Sequence, residues 1–471
     1  MTPPNAPQKK VLIIGGGLAG LATAVALGGR GLQIELLEAR HSLGGRAGSY
    51  RDSETGELVD HCQHVAMGCC TNFLDLCART LCSELLKRHR RLHFFSADGA
   101  RSDFAASRWL PAPLHLLPAM LRMKHLGWRD RYCISRAMLR LMRLQHTPGE
   151  ASKSAANWLH EQQQTLAAIE RFWKVVLVSA LADSLDNVSI LAARQVFVDG
   201  FLAHPAAADV LIPTVSLGEL YDRRIAGWLR ERRVAIRLGE PVKQVSQGED
   251  SKIHILTARE ALVADCVVVA VPWKQLPELL GATLRAAVPE LHTLSTLSSS
   301  PISSLHLWTD RPIMDLPHAV LIDRLSQWIF ARRELSSAGT HYYQVVISAS
   351  RDLAGRGKPA VIDEVWQDLQ AVFPAARSAR LQSAKLITQR DAVFSGSGSD
   401  ESSRLPQKTL LPSLVLAGDW TKTGWPATME GAVRSGYLAA EQVLKNLQIE
   451  AAAHILQPDL PRGWLARLLI A

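Results

Sequence analysis

The stretch Val11-Leu12-Ile13-Ile14-Gly15-Gly16-Gly17-Leu18-Ala19-Gly20 decides the fold, together with Glu38 at the end of the next apolar run, Gln33–Glu38. It reads as strand, glycine turn, helix, strand and acid, which is a dinucleotide-binding βαβ unit. Gly15 makes the tight turn, Gly17 lets the backbone approach a pyrophosphate, and Gly20 allows the helix to pack closely on the strand. The helix is predicted from about Ala19 to Arg30. Its first N–H groups, beside Leu18 and Ala19, and its positive dipole end face the phosphates, an alignment worth roughly 0.3–1 kcal/mol exposed and up to ~2 kcal/mol partly buried. Glu38 follows about 20 residues after the glycines, where a carboxylate accepts a ribose hydroxyl bond.

A chain of 471 residues is too long for one simple core and suits two interleaved domains. The uncharged run Val11–Gly29 follows Lys9 and Lys10 but contains the glycine turn and leads into a charged strand, so it reads as buried core and not as a targeting segment. No other run reaches the roughly 18 apolar residues of a membrane span. The seven cysteines (Cys62, Cys69, Cys70, Cys77, Cys82, Cys133, Cys266) are odd in number, form no CxxC pair and match no common zinc spacing. They read as reduced thiols of a cytoplasmic protein with no metal site.

The net charge of +9 accompanies no recognition motif for nucleic acid, so a nucleic-acid partner is not expected. The charge is dense in two apolar regions. In Arg108–Arg143, Trp109, Leu110, Leu114, Leu116, Leu117, Met120, Leu121, Met123, Leu126 and Trp128 are interspersed with Arg122, Lys124, Arg129, Arg131, Arg136, Arg140 and Arg143. The other region is the tail, Arg462–Ile470. Basic, tryptophan-bearing stretches suit the surface of a membrane, here the inner face of the cell membrane. They equally suit a helix packed on its own domain with a solvated basic face, and both readings stay open.

Along the chain, a hairpin is predicted from Ser49–Asp52 and Leu58–Asp60, turning at Thr55-Gly56. Residues 72–200 read as mostly helical, interrupted by prolines 111, 113 and 118. Short strands follow at Val234–Leu238, Val242–Val245, Ile253–Thr257 and Cys266–Val271, expected to rejoin the nucleotide domain. Ser304–Trp308 and Tyr342–Ala349 read as strands of a second sheet, and Gly396–Asp400 as a polar loop. The last unit runs from the strand Ser413–Leu416 through Ala417-Gly418-Asp419 into a helix from about Ala427 to Leu444. The expected division is a nucleotide domain of residues 1–100, 212–300 and 385–447, a substrate domain of 101–211 and 301–384, and a tail of 448–471.

These elements together resemble the FAD-dependent amine oxidase and phytoene desaturase superfamily. The resemblance implies a GR2-type flavoprotein: an α/β, Rossmann-like FAD-binding domain interleaved with a mixed-sheet plus helical substrate domain. "EARHSLGGRAGS" is similar to its second pyrophosphate motif, which implies Ala39, Arg40, Gly44, Gly45 and Arg46 near the FAD phosphates. "AGDWTKTGWPATMEGAVRSG" is similar to its C-terminal flavin motif. By that match Asp419, after Gly418, would bond a ribityl hydroxyl. The backbone from Met429 through Gly431 to Ala432, entered through Ala427, would face the flavin N1/O2 edge. Val242, in "PVKQV", matches the valine whose backbone meets adenine.

The blocks "DHCQHVAMGCC", "LIPTVSLGELY" and "SSLHLWTDRPI" further resemble hydroxysqualene dehydroxylases. Two departures concern the cavity: Cys62 stands where glycine usually precedes the Gln-His pair, and Trp425 where a smaller aliphatic residue is usual. The implied reaction is reductive loss of an allylic hydroxyl from hydroxysqualene, which needs a proton donor for the leaving oxygen. His64 is the first candidate, since an imidazole donates near neutral pH, with Asp60 and His61 behind it. Each of these residues has an alternative reading as a backbone-bonded shaper of the pocket. The rival reactions are phytoene-type desaturation and, from another class, flavin-free binding of a prenyl lipid. No second βαβ fingerprint for NADPH is present, so electrons would come from another protein or a diffusible carrier.

Overall fold

The computed structural model describes residues 8–52, 56–145, 147–332, 339–395, 404–449 and 454–471. The opening stretch forms β1 (Lys10–Ile14), α1 (Leu18–Leu27) and β2 (Gln33–Glu38). Val11, Leu12 and Ile13 are completely buried. The strand is continuously apolar because it lies in a parallel sheet covered on both faces. α1 stops before Arg30 because Gly28 caps it and Gly29 turns to φ +78°. Three strands extend the sheet in parallel: β3 (Ala235–Leu238) on β2, β4 (Cys266–Val269) on β1, and β5 (Leu414–Leu416) on β4. The order is β3-β2-β1-β4-β5.

The two ends of the chain meet in a helix pair. α2 (Met429–Asn446) crosses α1 so closely that a Cβ on Gly436 would lie 2.3 Å from the Ala19 carbonyl oxygen. Thr23 Oγ1 donates to the Gly436 carbonyl at 3.1 Å across this contact. Small residues on both helices permit that approach, and close-packed interiors leave no room for larger ones.

The strands near 242 and 253 stand outside the parallel sheet. Val242–Gln247, Ile253–Thr257 and Ala261–Ala264 form their own antiparallel layer. Val245, Ile253 and Ile255 pack it onto the face of the parallel sheet that carries Leu12 and Ile14.

A seven-stranded mixed sheet forms the second body. Its order is Leu381–Ser395, Ser298–Thr309, His341–Ile347, Trp328–Ala331, His318–Leu321, Leu92–Phe95, Arg101–Phe104. Residues 72–200 are therefore less helical than their pattern suggests: Leu86–His89, Leu92–Phe95 and Arg101–Phe104 are strands. Arg101–Phe104 alternates outward and inward, a period-two signal lost among neighbouring helices. Strands 92–95 and 381–395 lie in this second sheet, so the segments 1–100 and 385–447 are not confined to the nucleotide layer. Pro118 starts the helix Leu117–Leu121 and does not interrupt one. The turn residues 53–55 and the loop 396–400 lie outside the described residues.

Helices Trp128–Met142, Ala155–Glu161 and Lys174–Leu181, with the π-helical segments Ile169–Trp173 and Gln195–Leu202, cover one end of the sheet. The tail helix Trp464–Leu469 docks on this layer through Ala466 and Ile470. Among the described residues no helix is long and apolar enough to cross a membrane.

Candidate active site

A cavity of about 1040 Å³ begins at the carboxyl ends of β1, β2 and β4 and continues into the helical layer. Ligands of open parallel sheets bind at such strand ends. Gly15, at φ +109°, makes a turn that side-chain-bearing residues rarely adopt, and a Cβ there would lie 2.4 Å from the Ala270 oxygen. Gly17 caps α1, and a Cβ on it would meet nothing within 4 Å, so the backbone is open to the cavity. Glu38 is buried, accepting from Gly16 N at 2.6 Å and from Arg40 N at 2.8 Å. Each of its oxygens keeps a second lone pair for a ribose hydroxyl.

The second motif is tied to the first by Gly44 N donating to the Gly16 oxygen at 2.8 Å. Arg46 spans the chain ends: Nη2 donates to Asp419 Oδ1 at 2.5 Å and Nη1 to the Ala392 oxygen at 2.8 Å. Thr428 caps α2, its hydroxyl accepting from Gly431 N at 3.3 Å, and Ser435 Oγ accepts from Gly418 N at 2.9 Å.

The structure thus gathers Gly15, Gly17, Leu18, Ala19, Glu38, Ala39, Arg40, Gly44, Gly45, Arg46, Val242, Gly418, Asp419, Ala427, Met429 and Ala432 in one wall. Two predicted residues stand behind it. A Cβ on Gly20 would lie 1.9 Å from the Gly15 oxygen, and one on Gly431 2.4 Å from the Pro426 oxygen. These two glycines permit close packing and do not face the cavity. The wall fits flavin adenine dinucleotide: a helix N-terminus and an open glycine for the pyrophosphate, Glu38 for the ribose, and Asp419 held by Arg46 farther along.

Beyond the nucleotide end, the segment 62–64 enters the cavity wall, but Asp60 does not. Asp60 is 1% exposed and fully engaged by the protein: Oδ1 accepts from Ser49 Oγ at 2.6 Å and Leu217 N at 2.8 Å, and Oδ2 faces Arg332 at 3.3 Å. This placement removes it from the reacting groups. His61 stacks on Tyr50 at 5.2 Å and also stands outside the cavity.

His64 lines the cavity, with Nδ1 2.9 Å from the Cys62 oxygen. A carbonyl only accepts, so Nδ1 carries the proton and Nε2 of the neutral ring carries a lone pair. Burial holds the imidazole below its ordinary pKa, opposing protonation. At neutral pH Nε2 is therefore an acceptor, the reverse of the donor role expected from sequence. Burial also raises the Cys62 thiol to about 12, so it stays protonated. Trp425 closes the wall nearby, its ring covered by the Arg434 guanidinium at 4.5 Å.

The rest of the cavity is mostly apolar, with Ser135, Ser179, Gln195, Ser348 and Gln389 as polar exceptions. Phe94, Met120, Met138, Phe172, Phe197 and Trp328 are among its walls. At its mouth Leu114, Leu117 and Leu139 line the cavity and are also 41%, 42% and 50% exposed. Trp109, Trp128 and Tyr132 of the same stretch are exposed as well, while Leu116, Met123 and Leu126 are buried. The tail reaches this mouth: Gly463 packs against Ala112, and Ala471 N donates to the Met142 oxygen at 3.0 Å. Trp464 and Leu468 then lie exposed beside it.

The profile of the flavin-containing amine oxidoreductase family matches residues 18–444. A 15-cis-phytoene desaturase of Solanum lycopersicum is 26% identical over 463 residues, covering 93% of this chain and 78% of that protein. A hydroxysqualene dehydroxylase of Zymomonas mobilis is 25% identical over 453 residues, covering 92% and 99%. A zeta-carotene desaturase of Synechocystis is 23% identical over 478 residues, covering 93% and 97%. Among solved structures, an oxidoreductase from Methanosarcina mazei superposes with TM-score 0.69 at 16% identity, over 91% of this chain and 98% of that one. A putrescine oxidase bound to putrescine also gives 0.69 at 16%, over 93% and 99%.

Proposed function

Because the chain belongs to the flavin-containing amine oxidoreductase family and is an FAD-dependent oxidoreductase, we propose that its substrate is a long polyisoprenoid and its reaction the reductive dehydroxylation of hydroxysqualene to squalene. The observation that carries the substrate class is the continuity of one cavity: a dinucleotide cleft that runs on into a largely hydrocarbon-lined tunnel. Such a tunnel offers an alkyl chain apolar contact along its length and few polar groups to reject it. Support for the dehydroxylation comes from the sequence blocks around residues 60–70, 211–221 and 303–313 and from the near end-to-end match to the Zymomonas protein. When bound, FAD supplies the hydride chemistry, and the protein's part is to orient both partners and exclude water.

Desaturation of a phytoene-like chain is the second reading, and His64 favours it. Removing hydrogen from a saturated carbon pair releases a proton, which an acceptor at Nε2 can take, whereas a departing hydroxyl needs a donor. The two readings separate in one experiment. Reduced protein is mixed anaerobically with hydroxysqualene, and oxidised protein with phytoene, following flavin absorbance and product mass. Reoxidation with squalene formed supports dehydroxylation; bleaching with a desaturated product replaces it.

The mouth supports a place at a membrane. Each buried CH₂ is worth ~0.8 kcal/mol relative to water, so passing a long chain through water would cost tens of kcal/mol, while exchange between bilayer and tunnel is near neutral. An entrance rimmed by Trp109, Trp128, Trp464 and exposed cations suits docking on anionic lipid at the inner face of the cell membrane. Flotation with anionic vesicles at low salt tests this, and protein left in the unbound fraction counts against it.

A further inference from the structure

The segment that carries His64 is gripped from the second sheet. We propose that Arg332 is a positioning residue for His64, acting through Gln63; this rests on the reading of His64 as the proton-handling group. Arg332 follows the strand Trp328–Ala331 and is 1% exposed. Its Nη1 donates to Gln63 Oε1 at 2.5 Å and faces Asp60 Oδ2 at 3.3 Å, while Nη2 donates to the Val215 oxygen at 3.1 Å. Gln63 passes the contact on, its Nε2 donating to the His64 oxygen at 3.0 Å. Gln344, from the neighbouring strand, donates Nε2 to the Asp60 oxygen at 3.2 Å.

The logic is geometric. A guanidinium is a rigid fork, and acceptors placed on its prongs are held in direction as well as distance. Here one fork holds the side chains of residues 60 and 63, and the second of these holds the backbone of residue 64. His64 then presents Nε2 to the cavity only while its Nδ1 stays bonded to the Cys62 oxygen. A guanidinium that only neutralised Asp60 would not need Gln63, so the two roles part at that residue.

Gln63→Leu leaves the Arg332–Asp60 pair in place and removes the link to His64. Bound FAD and KM should stay at wild-type values, with kcat down by about tenfold to a hundredfold, the scale of a small misplacement of a reacting group. Arg332→Lys keeps the charge but not the fork and should move kcat in the same direction. The decisive comparison places Gln63→Leu in a His64→Ala background, where no further loss is expected because the group being positioned is gone. An equal loss in both backgrounds overturns the proposal.

A readout without turnover is the ring nitrogen resonance of His64. It should report a single Nδ1-protonated tautomer in the wild type and a tautomer mixture in Gln63→Leu. An unchanged signature in the variant also overturns the proposal. If His64→Ala keeps full activity, the reading of His64 has failed, and the resonance comparison still decides whether Gln63 fixes the ring.

Discussion

The two ends of the cavity are built by different physics. At the nucleotide end a few directional contacts decide everything: the Gly15 turn, the Glu38 carboxylate on two N–H groups, and Arg46 on Asp419. Each demands one residue type at one place. At the hydrocarbon end the wall is a volume filled by interchangeable apolar side chains from the second sheet and the helices between residues 114 and 202. No single position there is fixed by geometry. Substitutions at the first end should therefore act as all-or-none events, and those at the second as graded ones.

Gly20→Val is the severest way to test that contrast. A Cβ at this position would lie 1.9 Å from the Gly15 oxygen, and backbone cannot yield as a side chain can. Overpacking alone costs typically 1–3 kcal/mol, and a backbone collision should exceed that range. The purified variant should be colourless, with the flavin-to-protein absorbance ratio near zero. Phe172→Leu, in the tunnel, should keep its flavin and lose only substrate affinity. A yellow Gly20→Val protein, or a colourless Phe172→Leu one, would break the comparison.

His64 stands where the two ends meet, and His64→Ala should separate binding from chemistry. General acid–base groups contribute about 10²–10⁴-fold, so turnover should fall by that factor while bound flavin is unchanged. A fully active yellow variant would refute the role. If Nε2 accepts a proton, activity in the wild type should fall as acid protonates the ring, below the ordinary imidazole range because burial lowers its pKa. A donor would give the opposite limb.

The same contrast explains what could be read from the chain beforehand. The βαβ unit was legible because its spacing follows from backbone contacts, whereas the 44–46 turn and the 418–432 segment were legible through their resemblance to family motifs. The close helix pair was not legible: nothing local marks Gly436 for a contact with Ala19, which lies over 400 residues away. Arg332 was not legible at all, since nothing in "IFARRE" tells the first arginine from the second and its acceptors on residues 63 and 60 are 269 and 272 residues distant. Asp60 misled for a related reason, because nothing in "LVDHCQH" tells a carboxylate aimed at a ligand from one locked to Ser49 and Leu217. Strands 92–95 and 101–104 were missed because their partners lie more than 200 residues downstream or in each other.

Acid should distinguish the ends next. His115 and His125 lie in the mouth segment, buried, and burial lowers both to about 4 from 6.5. The native ring thus binds its proton more weakly than the unfolded one. Between pH 6.5 and 4 the unfolded chain holds more protons, so stability falls as pH falls through that window and is unaffected above it. The loss should be on the order of 3 kcal/mol for each histidine by the bottom of that window. Limited proteolysis at pH 5 should cut within residues 105–145 while flavin fluorescence still reports a bound cofactor. Release of flavin before cleavage would show that the nucleotide end is the weaker one.

The smallest effects belong to the exposed cations at the mouth. Arg122, Lys124 and Arg129 are exposed, and none of them forms an ion pair among the described residues. Near an anionic leaflet each is worth about 1 kcal/mol, roughly a fivefold change in binding. Single substitutions to Gln should therefore weaken vesicle association by about that factor each, and the triple variant by their product. Because exposed charges are screened within about 8–10 Å at physiological salt, raising the salt should erase the difference between wild type and triple variant. Turnover on detergent-solubilised substrate should not change, since these side chains touch neither cavity end. If the three charges instead served a solvated helix face, vesicle binding would be indifferent to them, and the mouth would have to recruit its substrate through Trp109, Trp128 and Trp464 alone.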